Sequence, residues 1–506
     1  MKARELIMPR RIVCLCLLGA AVAASLAFLI AEVRMLLVPA QFDYGEGHVL
    51  WMAQQITNAG SSYTPNDHLP YIVFPYPPLY LLAARAVNVV IGDLLVAGRS
   101  LSLACSMGIA VVVALTVFLC APARFPRIWR WAGAAYAAAL VLCMESVAGW
   151  GSLMRVDMLA LFLMFAGLAV YIIPGRRERW QYVAALLFVL AVFTKQTMFS
   201  VPLACAIFGL VKNPRSALRV YGFAIVLGLC GLFFCNSITH GGFWKNIVHY
   251  NLSPFSWKTA LWQTSSHLRA CLPSAAVAAA ALLCFWNARA VRRFGWKRFL
   301  RIRSGRIYDR AIIICGLNWL LAGIWTLSIG KMGSSYNFFL ALDISTCFLC
   351  GLFLFRFLAT WSANNQDHKT VSLALVLLFL LMLLPPGNVM AGFMDHTSLV
   401  EEEAQLVRLI RASPGPVMSE NLLVMTKAGK EMQIEPSTVT FLARAGRWDE
   451  RPFLRLLDQQ YFKLIVIWNH QGFSNFTAAM ISSIERAYSL DQTIGRYSIY
   501  RPRPSR

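Results

Sequence analysis

Residues 76–93 read YPPLYLLAARAVNVVIGD, and whether their apolar run crosses a membrane decides on which side every later loop lies. A span needs about 20 apolar residues. The run from Leu79 to Ile91 is shorter, is interrupted by Arg85 and Asn88, and stops at Gly92-Asp93. It reads as an interfacial helix lying on the membrane surface, so the next true span is 94–120. The basic residues test this choice. With 79–91 lying flat, Arg124, Arg127 and Arg130 fall on the inner side, as do Arg176, Arg177 and Arg179, then Lys212, Arg215 and Arg219. The largest cluster, Arg289, Arg292, Arg293, Lys297, Arg298, Arg301, Arg303 and Arg306, joins them. If 79–91 crossed, all of these would face outward, against the positive-inside rule.

The class follows from composition. The chain has 506 residues, is 58% hydrophobic, and carries only 14% charged residues, against roughly 25% in soluble globular proteins. This is the composition of an integral membrane protein. Its net charge of +23 would suggest nucleic acid in a soluble chain, but the basic residues lie in short clusters between apolar segments, as cytoplasmic loops do. No nucleic-acid partner is expected. The N-terminus places Lys2, Arg4, Arg10 and Arg11 before an apolar run that continues to Leu37. That is too long for a signal-peptide core, so it reads as a retained first helix with its N-terminus in the cytoplasm. Further spans are expected near 131–148, 156–173, 180–195, 197–212, 220–239, 269–288, 311–330, 338–359 and 370–391.

The expected fold is therefore a polytopic α-helical membrane domain, residues 1–391, with about eleven transmembrane helices. Its first outer loop, 38–93, carries two surface helices. An odd number of crossings puts residues 392–506 outside, as a small extracytoplasmic α/β domain. There, Glu401–Ile410 is an amphipathic helix, Pro416–Ser419, Leu464–Trp468 and Tyr497–Tyr500 look like strands, and helices are expected near 450–460 and 476–487. The 13 cysteines lie almost wholly in apolar segments. No Cys-x-x-Cys lies in a polar loop and no Cys/His grouping has zinc spacing, so neither a structural disulfide nor a metal site is assigned.

On the outer side this topology gathers polar residues. The first loop opens with Asp43-Tyr44-Gly45-Glu46-Gly47 and supplies His48, Tyr76 and Arg85. Arg99 lies just inside the second span. Glu145, Arg155 and Asp157 follow, then Lys195 in a tight turn. A later loop brings His240, Trp244, Lys245, His249, Tyr250 and Asn251, and the last holds Lys331, Tyr336 and Asn337. Charges at a membrane rim are costly unless paired or functional. Asp43 has a structural reading as the N-cap of the helix that follows it, Arg99 as the partner of a loop carboxylate, and Lys195 and Lys331 as snorkelling anchors. The functional reading is that the cations hold a phosphate and a carboxylate deprotonates an acceptor hydroxyl.

The chain resembles the C-type integral-membrane glycosyltransferases (GT-C), in the broad group containing protein O-mannosyltransferases and aminoarabinose transferases. The likeness rests on Asp43–Glu46 after the first helix, Tyr76-Pro77-Pro78-Leu79, Gly98-Arg99-Ser100-Leu101-Ser102, Arg155-x-Asp157, Thr194-Lys195-Gln196, the Gly333–Phe338 turn, and several tail motifs that look like a bacterial branch. The resemblance implies a polyprenyl-phosphate-linked sugar donor, an extracytoplasmic acceptor (glycan, lipid or protein), transfer with inversion, and a site in the plasma (inner) membrane facing outward. It further implies a first-loop carboxylate as general base and Arg99 on the lipid phosphate. Many relatives have adjacent acidic residues, whereas Asp43 and Glu46 are three apart, which still sets both on one helix face; either is a candidate base. The expected site is thus Asp43, Glu46 and Asp157 for catalysis, Arg99, Lys195 and Lys331 for the donor phosphate, and Tyr76, Arg155, His249, Tyr336 and Asn337 for substrate, with no cofactor or metal assigned. The competing reading is a transporter or flippase of lipid-linked glycans. It predicts midplane charges and broken helices in related halves, neither of which is evident.

Overall fold

The structure, a computed structural model, describes residues 2–57, 62–123, 125–173, 178–285, 306–360, 366–469 and 475–504. Arg124, Arg176, Arg177 and the basic cluster from Arg289 to Arg303 lie outside the described residues. Each expected span coincides with a helix: Lys2–Leu36, Leu94–Cys120, Arg127–Leu142, Asp157–Ile172, Glu178–Thr194, Ser200–Lys212, Pro214–Ile238, Leu272–Phe285, Ile307–Trp325, Leu340–Thr360 and Gln366–Leu381. Among the described residues, four stretches are long and apolar enough to cross a membrane alone: Arg11–Leu36, Leu94–Cys120, Pro214–Ile238 and Ile307–Gly330. The pair Trp257–Ala270 and Leu272–Phe285, bent by 84°, makes a fifth if taken as one span. Ser200–Lys212 rises only about 20 Å, against a hydrocarbon core of about 30 Å. Among the described residues, length and composition alone thus support four or five of the expected crossings, and the other expected spans coincide with helices that this measure does not reach. Pro214–Ile238 leaves Ile225, Val226, Leu229, Phe233 and Phe234 exposed, a face that suits lipid rather than water.

The decisive run 79–93 forms a helix, Leu79–Ile91, that ends at Gly92 in the left-handed region, φ 83°. Glycine adopts that conformation without strain, which closes the helix. Asp93 then caps Leu94–Cys120 by accepting from the Val96 N–H at 2.9 Å. Two helices thus meet at a turn instead of merging. Tyr80, Leu81 and Ala84 face inward, whereas Val89 and Val90 stand 86% and 88% exposed. That one-sided burial is what a surface helix shows.

The expected span 131–148 breaks into Arg127–Leu142 and a short helix, Glu145–Trp150. The irregular segment after it, Gly151–Val156, runs beneath the first loop and carries Met154 and Arg155 directly to the site.

The tail folds as an α/β layer around four strands, β1 (Val417–Ser419), β2 (Leu464–Trp468), β3 (Tyr488–Ile494) and β4 (Tyr497–Pro502), in the order β1-β2-β4-β3. β1 runs parallel to β2, and the other pairings are antiparallel. Val417, Met418, Leu464, Ile465 and Val466 are buried in continuous runs, which is why those strands were legible. β3 was not expected: its middle is exposed, Leu490-Asp491-Gln492-Thr493, so no alternation marks it. The helices near 401–410 and 450–460 are Thr397–Ala412 and Arg451–Asp458.

The tail packs on the first loop. The Tyr71 N–H donates to the Gln433 carbonyl (2.8 Å), and the Tyr71 carbonyl accepts from the Glu435 N–H (3.1 Å). Tyr44 Oη donates to Glu435 Oε1 at 2.6 Å, the Gln41 N–H to Glu403 Oε1 at 3.1 Å, and Lys427 Nζ to the Pro39 carbonyl. Loop and tail therefore form one continuous body.

Within that body Glu420 is 3% exposed, and accepts from the Trp468 N–H and the Asn475 amide. Burial pushes its pKa up to about 7 from an ordinary 4.5. Between those values the folded carboxyl holds a proton that the unfolded one has lost. Stability should therefore fall as pH rises from about 4.5 to 7, by roughly 3 kcal/mol at most. Glu420→Gln should flatten this dependence, measured as the melting temperature of the purified protein across that range. Equal pH slopes in both proteins would remove Glu420 as the source.

Candidate functional site

The segment Asp43–Gly47 starts the helix Tyr44–Gln55, and each of its residues has a separate task. Asp43 is the N-cap, accepting from the Gly45 N–H at 2.9 Å. The same oxygen, Oδ1, takes a salt bridge from Arg155 Nη1 at 2.8 Å. All hydrogen bonds to the Asp43 side chain from the described residues go to Oδ1, and the side chain is 26% exposed, so Oδ2 is open. A side chain at Gly45 would strike the Arg155 guanidinium, and one at Gly47 would strike the Leu422–Leu423 backbone of the tail. Glycine at both positions is a packing requirement.

Glu46 faces the other way and is fully buried. It meets Arg99 in a two-pronged pair, Nε to Oε1 and Nη2 to Oε2, both at 2.8 Å. It also accepts from the Phe42 N–H (2.9 Å) and the Met154 N–H (3.0 Å). Burial alone would raise its pKa, but the Arg99 charge and these donors outweigh burial and hold the carboxyl below its ordinary value. Arg99 directs its remaining N–H groups to the Met35, Val38 and Ala40 carbonyls. With five donors and five partners, the guanidinium has none left for a phosphate. The sequence assigned Arg99 to the donor; in the fold it holds the end of the first helix to the first loop.

A second cluster lies along the same Met154–Asp157 segment. Arg155 Nη2 donates to Tyr76 Oη at 3.2 Å. Asp157 is fully buried at the start of Asp157–Ile172, where Oδ1 accepts from Lys195 Nζ at 2.5 Å and Asn337 Nδ2 at 3.1 Å. Lys195 is therefore not a free cation. Lys331 has no acidic partner among the described residues, and burial plus the neighbouring Lys195 charge lower its pKa to about 8. Gln196 and Asn251 both donate to the Pro75 carbonyl, at 2.9 and 3.0 Å, which pins the Tyr76-Pro77-Pro78 turn above this cluster.

Several polar atoms here are buried with no hydrogen-bond partner: Arg155 Nε, Asp157 Oδ2, Gln196 Oε1 and Asn337 Oδ1. Such atoms occur elsewhere among the described residues as well, but these four sit on neighbouring residues of one site. Beside them opens an apolar cavity of about 450 Å³. Pro77 and Gln196 line it together with Phe188, Phe193, Tyr221 and Leu229. The cluster of Asp43, Arg155 and Asp157 offers charged groups to a polar head, and the cavity, which shares Gln196 with the unpartnered atoms, offers an apolar surface.

Not every expected residue joins it. His249 is exposed, and its carbonyl is used by Arg447 of the tail. Tyr336 is 53% exposed, against Phe339. Both are turn positions whose neighbours, Tyr250 and Asn337, take the buried places. Conversely, Glu435 was missed. It caps Pro436–Arg444, binds Tyr44, and raises the pKa of the buried Tyr44 hydroxyl further beyond the effect of burial. An acidic residue before Pro-Ser was a legible capping signal, but its reach to the first loop was not.

The pair of Glu46 and Arg99 yields a stability prediction. Arg99→Ala leaves a carboxylate buried without its partner and should cost about 3–5 kcal/mol. The double change Arg99→Met with Glu46→Gln should recover part of that loss. Thermal melts of the three proteins check this; a wild-type melting temperature in Arg99→Ala would contradict it.

No known protein-family model matches the chain, and no curated protein matches it in sequence. Solved structures do share its fold. ArnT from Cupriavidus metallidurans bound to undecaprenyl phosphate superposes with a TM-score of 0.56 at 13% identity, covering 95% of this chain and 98% of that one. The apo state of the same protein gives 0.59 at 14% identity, with 95% and 96% covered. Identity this low speaks to fold alone: over nearly the whole chain the fold is the one seen in ArnT.

Proposed function

We propose that this chain is a membrane glycosyltransferase that moves a sugar from a polyprenyl-phosphate donor to an extracytoplasmic acceptor, with inversion at the anomeric carbon. The observation that carries the reading is the group of unpartnered polar atoms on Arg155, Asp157, Gln196 and Asn337, one of which, on Gln196, belongs to a residue that also lines an apolar cavity. ArnT, which shares the fold, was crystallised with undecaprenyl phosphate. In this reading the groove takes the prenyl chain, and the phosphate lies by Lys331. The protein sits in the plasma (inner) membrane with its first loop and tail on the outer side.

The chemistry is a single displacement. The acceptor hydroxyl oxygen attacks the sugar C1, and the bond from C1 to the phosphate oxygen breaks. The hydroxyl proton passes to a carboxylate, and polyprenyl phosphate leaves with the electron pair. Of the two first-loop acids, Asp43 is the base, because Oδ2 is open and the side chain reaches solvent. Glu46 has all its hydrogen-bonding capacity engaged and supports the loop. Arg155 orients Asp43 through Oδ1 and leaves the other oxygen to the acceptor. Asp157, held by Lys195 and Asn337, offers its free Oδ2 to a sugar or acceptor hydroxyl. The developing phosphate charge is met by Lys331.

Asp43→Asn should lower turnover by about 100-fold or more, the usual scale of general-base catalysis, while donor binding and melting temperature stay near wild type. The assay incubates purified protein with a panel of radiolabelled polyprenyl-phosphate sugars and follows loss of label from the lipid. Near-normal turnover in Asp43→Asn would remove Asp43 as the base.

Lys331 supplies a pH signature. Its free-enzyme pKa of about 8 means that it is a cation below that pH and neutral above. The KM for donor lipid should therefore rise as pH passes through 8. Lys331→Arg, charged throughout, should abolish that rise, and Lys331→Gln should give a high KM at every pH. A wild-type KM that is flat from pH 7 to 9 would place the phosphate elsewhere.

A further inference from the structure

The helix Trp257–Ala270 meets Leu272–Phe285 at an 84° break, and Cys271 occupies the break. His267 lies four residues earlier, on the same helical face. Asp343, in the first turn of Leu340–Thr360, closes on both. His267 Nε2 is 2.9 Å from Asp343 Oδ1 and 3.5 Å from Cys271 Sγ, and the three atoms lie within 4.8 Å of one another. The His267 and Asp343 side chains are 7% and 2% exposed.

We propose that His267, Cys271 and Asp343 bind a zinc-class divalent metal ion. One ring nitrogen faces both a carboxylate oxygen and a sulfur. An imidazole nitrogen offers either one proton or one lone pair, so it can satisfy only one of them. A cation between the three satisfies all. Zinc–sulfur and zinc–nitrogen bonds of about 2.3 and 2.0–2.1 Å, at the tetrahedral angle, put sulfur and nitrogen about 3.5 Å apart. That is the separation found here. Thiolate, imidazole and carboxylate together suit zinc over magnesium or calcium.

The surroundings fit as well. Ser146 Oγ donates to Asp343 Oδ2 at 2.5 Å, and Phe339 stacks flat on the His267 ring, 3.9 Å between centroids and 4° between planes. Such outer contacts are what orient ligands in metal sites. Three protein ligands leave a fourth position for water. Sequence reading passed the site over because Asp343 is 72 residues from Cys271, and a His-x-x-x-Cys pair alone is a weak signal.

The metal would tie the outer-loop helix to the start of Leu340–Thr360, just after the turn that carries Lys331 and Asn337. Its role is to position that turn, not to act on substrate. Binding releases the Cys271 proton to solvent.

The test uses the full chain in detergent, stripped with a chelator and titrated with Co(II) and then Zn(II). One equivalent of Co(II) should bind, with tetrahedral d–d bands and a near-ultraviolet sulfur-to-cobalt charge-transfer band, and Zn(II) should displace it. Cys271→Ser should lose the charge-transfer band, and His267→Ala and Asp343→Asn should each weaken Zn(II) binding at least tenfold. Cys315→Ser, at a buried cysteine in another helix, should change nothing. Melts of the metal-free proteins keep the result interpretable: chelation should lower the wild-type melting temperature and leave that of Cys271→Ser unchanged. No stoichiometric binding, or a charge-transfer band that survives in Cys271→Ser, would overturn the proposal.

Discussion

The buried pair of Arg99 and Glu46 fixes the first-loop end of this molecule. Burying two ions costs several kcal/mol each, and the cost is offset only when geometry is good and every remaining donor and acceptor is used. Here both conditions hold. Glu46 accepts from Arg99 twice and from two backbone N–H groups, and Arg99 gives its other donors to three carbonyls. Those contacts join the end of the first helix, the first loop, the start of Leu94–Cys120 and the Met154 segment. The last connection has consequences for function, because the next residues are Arg155 and Asp157. Once Met154 N is tied to Glu46, Arg155 falls beside Asp43 and Asp157 beside Lys195.

Asp43-Tyr44-Gly45-Glu46-Gly47 therefore works as a junction. Asp43 and Glu46 hold different arginines, Tyr44 reaches Glu435 in the tail, Gly45 admits Arg155, and Gly47 admits the tail backbone. Three of these five contacts go to the membrane-embedded helices and their connecting segments, and two to the tail. The helix Tyr44–Gln55 is held from both sides, and the open oxygen of Asp43 is placed by groups that have no freedom of their own.

Much of this was legible. The shortness of Leu79–Ile91 and the placement of basic clusters pointed to the surface helix, and apolar length marked a helix at each expected span. Asp43, Tyr76, Arg155, Asp157, Lys195, Lys331 and Asn337 do converge. What could not be read was how the charges are partnered. A cation at a rim looks the same in sequence whether it awaits a phosphate or already holds a carboxylate 53 residues away, as Arg99 does. Nor could the sequence tell that His249 and Tyr336 lie exposed while their neighbours Tyr250 and Asn337 are buried, because in a short turn a shift of one residue exchanges inside for outside. β3 escaped because an exposed strand lacks alternation. The His267, Cys271 and Asp343 group escaped because its parts are ordinary alone.

Two carboxylates one helical turn apart look interchangeable in sequence, and the fold makes them unlike. A group serves as a base only if it keeps a lone pair for the incoming proton and a pKa not driven down by its partners. Glu46 fails on both counts, since four donors and a full guanidinium charge hold it ionised. Asp43 meets the first, with one oxygen engaged and one open. In the proposed reaction, environments that push neighbouring acids toward different tasks let one helix turn supply both a support and a base. The spacing of three, in place of adjacency, makes this division possible: it lets Glu46 meet Arg99 while Asp43 stays at the helix end, held by its own cap and by Arg155.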